Sequence, residues 1–272
     1  MRLLFLFLFS IATASAADSL LINGRTILVP TPDGFVRVTG QMQALEEYSR
    51  KMKDPANDML AFYIPEAAVP EALSGEIPSF DRWLVVKVNK ELRGVFATSR
   101  DFALLKSGMV KHLEETNEQV KAQVNEALRE TSLSISKSYD TSFSATVSDM
   151  RPLPVHYETP DTLSYSMHLG YGATNGSENS SGTMIATSTI MNVSGTILFL
   201  YCYAPKDQLD WSRTFSRDWS NSILASNENL PDARKSNFWD KALSRLLTAT
   251  VVGGLGGLIF GGILIWNARR KA

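Results

Sequence analysis

Between Leu246 and Trp266 the chain carries no charged side chain. At 1.5 Å per residue that run makes about 30 Å of helix, the thickness of a bilayer's hydrocarbon core. It reads as a transmembrane helix over 246–266, and its flanks agree. Phe238 and Trp239 precede it and Trp266 closes it, placing rings at the two headgroup levels, and Arg269, Arg270 and Lys271 follow. Positive charge stays on the cytoplasmic side, so residues 267–272 are expected to form a short inner tail.

The opposite end repeats the apolar theme on a shorter scale. Met1-Arg2 leads into the Leu and Phe block from Leu3 to Phe9, then smaller residues, then Ala14-Ser15-Ala16. One charge, a short apolar core and an Ala-x-Ala end are the parts of a secretory signal peptide, with cleavage expected after Ala16. The two signals give one topology: residues 1–16 direct export, 17–226 fold outside the cytoplasm, 227–245 link to the bilayer, and 246–266 stop transfer. Among 27 basic and 28 acidic residues, setting aside those in the terminal segments leaves a mild acidic excess, which argues against nucleic acid as a partner. A lone cysteine, Cys202, cannot close an intramolecular disulfide, so packing must stabilise the exported part. With the short signal and short tail, these features fit a single-pass bacterial inner-membrane protein; the triplets at Asn175, Asn179 and Asn192 would be glycosylation acceptors only in a eukaryotic secretory pathway.

Within the apolar run, Ala249, Gly253, Gly257 and Gly261 recur every four residues. They therefore share one helix face as a small-xxx-small ridge, the kind of surface that lets a second transmembrane helix approach closely. Self-association or docking on a partner's membrane helix is the expectation.

The exported part predicts an α+β fold: an antiparallel sheet flanked by helices, one of them long and amphipathic. Leu20-Leu21-Ile22, Asn23-Gly24 and Thr26 to Val29 read as strand, turn, strand. Met42, Leu45, Tyr48 and Met52 recur at three and four, predicting a helix over Gln41 to Met52 that Asp54-Pro55 ends. Met59 to Ile64 and Trp83 to Val88 read as strands. From Asp101 to Thr131, Phe102, Leu105, Met109, Leu113, Thr116, Val120, Val124 and Ala127 form a single stripe, predicting one helix with Ser99 as N-cap. Its stripe suits packing on a sheet better than a coiled-coil seam. Alternation then predicts strands over Phe143 to Val147, Val155 to Tyr157, Leu163 to Leu169, Thr183 to Met191 and Thr196 to Tyr203. Gly170 to Gly182, rich in Gly, Ser and Asn, reads as a flexible loop. Leu209, Trp211, Phe215, Trp219 and Ile223 mark a last helix opened by Asp207, whose aromatic stripe is expected to be core.

Strands followed by this aromatic-faced helix, as in Gly195 to Tyr201 and then Asp210-Trp211-Ser212-Arg213, resemble the Mog1/PsbP-like α/β sandwich over Leu20 to Asn227. The resemblance lies in element order. It implies an antiparallel sheet with flanking helices, in a class that mostly binds proteins or assists assembly, and it transfers no site residue.

Motifs for chemistry are sparse. His112, His156 and His168 lack metal-ligand spacing; His156 and Glu158 share a strand face by period two, which suits surface histidines better than zinc. Ser134 and Lys137 match a Ser-x-x-Lys spacing, but the Ser-Asp-Asn and Lys-Thr-Gly elements that accompany it are missing from the sequence. Neither a Gly-x-Ser-x-Gly elbow nor a phosphate loop occurs. The sequence thus points away from an enzyme and names no catalytic, cofactor or metal residue. The expected function is a membrane-anchored periplasmic interaction or assembly module. The alternatives are a small-ligand sensor acting through another membrane protein and, behind it, an envelope hydrolase.

Overall fold

A computed structural model of the chain describes residues 17–51, 54, 56–115 and 117–232. The strands are β1 (Ala17–Ile22), β2 (Arg25–Pro30), β3 (Phe35–Arg37), β4 (Asn57–Pro65), β5 (Trp83–Asn89), β6 (Phe143–Pro152), β7 (Tyr157–Thr159), β8 (Thr162–Asn175), β9 (Glu178–Val193) and β10 (Thr196–Pro205). The helices are α1 (Gln43–Lys51), α2 (Val69–Leu73), α3 (Ser99–Glu115), α4 (Asn117–Tyr139) and α5 (Leu209–Ser226). None of them is long and apolar enough to cross a membrane. The signal segment with Ala14 and Ala16, and the ridge of Ala249, Gly253, Gly257 and Gly261, lie outside the described residues.

Eight strands form one antiparallel sheet in the order β3-β4-β5-β10-β9-β8-β6, with β7 also paired to β8. Period-two alternation gives the central strands β4, β5, β9 and β10 one face in each of two cores, whereas β6 and β8 turn apolar side chains to the first core only. On one face Phe62, Trp83, Val85, Tyr165, Phe199 and Tyr201 pack under α1, α3 and α4. On the other, Tyr63, Val86, Leu198 and Leu200 pack under Trp219 and Ile223 of α5 and under the β1–β2 hairpin. The sandwich of helices, sheet, then helix and hairpin is the α+β arrangement expected from the sequence.

Tight turns set the registers. Asn23 and Gly24 sit at φ 53° and 75° between Ile22 and Arg25, and Ser194 and Gly195 at φ 49° and 96° between Val193 and Thr196. Positive φ at both central residues is the turn whose twist matches the strands it joins. Three expectations need correction. Gly170 to Gly182 is not a loop: β8 and β9 run through it as one long hairpin, pairing Tyr171 with Gly182 and Asn175 with Glu178. The missing side chain at Gly182 makes room for the Tyr171 ring, since a Cβ there would lie 2.7 Å from its hydroxyl. The long helix corresponds to α3 and α4 on either side of Thr116, which lies outside the described residues, and α4 continues to Tyr139. Its cap is Thr98 rather than Ser99. Thr98 Oγ1 accepts from the Asp101 N–H at 3.3 Å and Asp101 Oδ2 accepts from the Thr98 N–H at 2.8 Å, a reciprocal capping box.

One edge of each sheet, β6 in the large sheet and β2 in the hairpin, is met by side chains. Asn125 of α4 donates from Nδ2 to the Val147 carbonyl at 3.1 Å and accepts the Val147 N–H at 2.8 Å. Ser132 and Ser136, farther along the same helix, accept the N–H groups of Ala145 and Phe143. Hydroxyls that weaken a helix in isolation are thus spent on the outer edge of β6. On β2, the Asn227 amide accepts the Leu28 N–H at 2.9 Å and donates to the Leu28 carbonyl at 2.7 Å. Each amide replaces the strand an edge would otherwise recruit.

Candidate functional site

A concavity lies where α5 passes the chain between β2 and β3. Pro205 ends β10, and α5 starts after Gln208, whose side chain makes no cap. Gln208 Oε1 instead accepts from Arg82 Nε at 2.6 Å. The Arg82 guanidinium stands 4.3 Å from the Trp211 ring centre, a cation–π contact that pins the indole. Four-residue spacing then puts Trp211, Phe215 and Trp219 on one helix face. Trp211 and Phe215 lie 5.0 Å apart, and both rest on Phe35 of β3, at 6.4 and 5.3 Å.

Trp219 turns inward. Its ring edge meets Tyr63 at 5.6 Å and its Nε1 donates to the Pro30 carbonyl at 2.9 Å. That bond joins residues 189 positions apart and holds Pro30-Thr31-Pro32-Asp33 alongside α5. Between the two walls is a groove of about 640 Å³ that extends along α5 from Asp210 to Ser222, a volume in the range of ligand sites. Apolar rings and prolines form its floor, and exposed carboxylates of Asp33, Asp210 and Asp218 form its rim. The Asp218 carboxylate accepts from Arg217 Nε at 2.8 Å; Asp33 and Asp210 make no ion pair among the described residues. The aromatic stripe expected to be core is therefore divided: Trp219 and Ile223 are buried, whereas Trp211 and Phe215 are half-buried and line the groove.

Beneath α5 the sheet is polar. Thr187 Oγ1 lies 2.5 Å from Ser212 Oγ and 2.9 Å from Ser166 Oγ, and Ser164 Oγ lies 2.7 Å from Thr189 Oγ1 and 3.2 Å from His156 Nε2. His156 and Ser164 are close enough to exchange a proton, yet Ser164 is fully buried and His156 Nδ1 has no hydrogen-bond partner among the described residues. The pair lacks the orienting acid and the access that nucleophilic catalysis requires. Burial, aided by the charge of Arg213, lowers the His156 pKa to about 4, so the ring is neutral at neutral pH. Cys202 lies under α5, and burial pushes its thiol up to about 12, which keeps it protonated and inert.

Other residues singled out in the sequence are scattered. His168 pairs across the sheet with Ile185 and Arg151, and Ser134 and Lys137 lie on α4. Among the described residues no group of three His, Cys, Asp or Glu side chains is placed to hold a metal ion. The acidic rim and the Pro30–Asp33 wall had escaped sequence reasoning. The Pro30, Pro32 and Gly34 cluster read only as a strand terminator, and nothing local reports that it meets a helix 180 or so positions later.

No protein-family model and no curated protein matches the chain. Among solved structures it is similar to the solution structure of cyanobacterial PsbP (CyanoP) from Synechocystis sp. PCC 6803, with a TM-score of 0.32 and 12% identity over 78% of this chain and 94% of that one. It is also similar to a point variant of the protein Mog1, with a TM-score of 0.28 and 9% identity over 78% of this chain and 93% of that one. The chain thus bears a weak resemblance, in fold alone, to Mog1/PsbP-like proteins.

Proposed function

We propose that this protein is an exported interaction module tethered to a bacterial inner membrane by residues 246–266, with its folded domain on the periplasmic side and its glycine ridge engaging a second membrane helix. The observation that carries the interaction reading is the groove on α5. Half-buried Trp211 and Phe215, framed by Pro30 and Pro32 and rimmed by carboxylates, make a docking face, because aromatic rings supply most contact energy at low entropic cost.

The path of the chain supports tethering away from that face. After α5, Ser194 Oγ donates to the Leu230 carbonyl and Arg25 Nη1 to the Pro231 carbonyl at 2.9 Å. The chain therefore runs beside the β1–β2 and β9–β10 turns at Leu230 and Pro231, beyond the C-terminal end of α5, whereas the groove lining on α5 ends at Ser222. Anchoring the domain at its exit would leave the groove open to a partner.

Topology is testable with alkaline phosphatase fusions. Fusion after Asp232 is expected to be active and fusion after Ala272 inactive, with the full chain resisting alkaline carbonate extraction. Carbonate-soluble protein, or an active fusion at Ala272, would overturn the single-pass reading.

A further inference from the structure

We infer that the α5 groove binds an extended peptide segment of a partner protein that carries basic side chains beside proline or aliphatic ones. This deepens the interaction reading above and rests on the groove being the docking face. Its shape argues for an extended chain. The lining follows α5 from Asp210 to Ser222, which at 1.5 Å per residue is about 18 Å. That is the length of roughly six residues in a polyproline helix rising 3.1 Å per residue, and longer than a small cation needs.

Charge selects the sign of the occupant. Asp33 stands on one wall and Asp210 on the other, both exposed and without ion-pair partners among the described residues, while the nearby cations are engaged elsewhere: Arg217 with Asp218, Arg82 with Gln208 and the face of Trp211, and Arg213 with Ser166. An anionic lipid headgroup or acidic peptide would face two uncompensated carboxylates, whereas Lys or Arg would neutralise them. One face of Trp211 is taken by Arg82, and the half-buried rings of Trp211 and Phe215 together with Pro30 and Pro32 supply apolar surface against which proline or aliphatic side chains can pack.

The test uses the full-length protein in nanodiscs of zwitterionic lipid and a fluorescein-labelled decapeptide alternating Arg and Pro, followed by anisotropy. Controls are the same peptide with Glu for Arg, and tetramethylammonium as competitor. The Arg-Pro peptide is expected to bind saturably, and the Glu-Pro peptide not to bind. The Asp33→Lys/Asp210→Lys protein should bind about tenfold or more weakly, in line with reversal of two charges at an interface. Thr214→Trp, at an exposed position in the groove, should block it, with near-UV circular dichroism confirming an intact fold. Equal binding of both peptides, binding unchanged in the charge-reversed protein, or no saturable binding would each overturn the inference. Full displacement by millimolar tetramethylammonium would make the groove a small-cation site instead. Failure here is separable from failure of the membrane-module reading: partners captured from membranes equally by wild-type and charge-reversed protein would leave the module standing and remove the groove from it.

Discussion

Asn125 and Asn227 each offer one backbone residue the pair of bonds a neighbouring strand would give. Truncation leaves that donor and acceptor of Val147 or Leu28 without their partner, so Asn125→Ala and Asn227→Ala should each cost about 1–3 kcal/mol in urea unfolding. A cost below about 0.5 kcal/mol would mean that water serves these edges equally well. The Lys87 ammonium, 2.8 Å from the Asp54 carboxylate, is a different case because both groups are buried. Burial raises the Asp54 pKa, but the Lys87 charge and hydrogen bonds from Lys87, Asn57 and Ala56 outweigh it and hold the carboxyl below its ordinary range. A lowered carboxylate contributes stability above the unfolded value, about 3.9, and loses it as pH falls through the folded one. Lys87→Ala strands a buried charge and should cost about 3–5 kcal/mol at neutral pH. His156 gives a second pH signature with the same sign. With a folded value of about 4 against about 6.5 unfolded, the unfolded chain takes the proton first. Stability should therefore decline as pH falls from about 6.5 to about 4, and His156→Gln should flatten that interval in a pH series of urea midpoints. An unchanged slope would contradict the burial assigned to the ring.

At the scale of elements, the β8–β9 hairpin depends on the fit of Tyr171 over Gly182. A methyl at Gly182 would lie 2.7 Å from the Tyr171 hydroxyl and 3.0 to 3.2 Å from the ring, so Gly182→Ala should destabilise by about 1–3 kcal/mol. Adding Tyr171→Ala should recover part of that loss, a non-additivity that thermal melts of the four proteins will show. The same pair explains why this stretch reads as a loop in sequence. Its Gly, Ser and Asn residues carry turn signals, and the contact that overrides them crosses between strands. Where the signal is local, the sequence is legible: Asn23-Gly24, the β4 and β5 runs, and the stripes of α1, α3 and α5 all fall where periodicity and turn chemistry put them. The Thr98–Asp101 capping box is also legible in the sequence, as Thr-x-x-Asp starting one residue before Ser99. The groove was half legible. Spacing gave Trp211, Phe215 and Trp219 one face, but whether a ring is covered depends on Phe35 and Pro30, which only the tertiary fold brings to α5.

For the whole molecule, the sheet sandwich supplies a rigid support, with one helix face bearing the groove and the chain leaving beside the β1–β2 turn. Binding energy at such a face concentrates on a few aromatic anchors, while the glycine ridge at Gly253, Gly257 and Gly261 is proposed to gather partners within the bilayer. These two surfaces make separable predictions, because a ridge variant alters membrane-helix contacts and a groove variant alters periplasmic ones. Membrane tethering and helix-mediated assembly are tested together by crosslinking capture of the full chain from its native membrane, with wild type compared against the Gly253→Leu/Gly257→Leu/Gly261→Leu protein. The account predicts specific crosslinked species, a second copy or a distinct partner, that are lost in the variant although it remains exported and membrane-bound. Identical capture by the two proteins, or no specific crosslinked species from either, would contradict it.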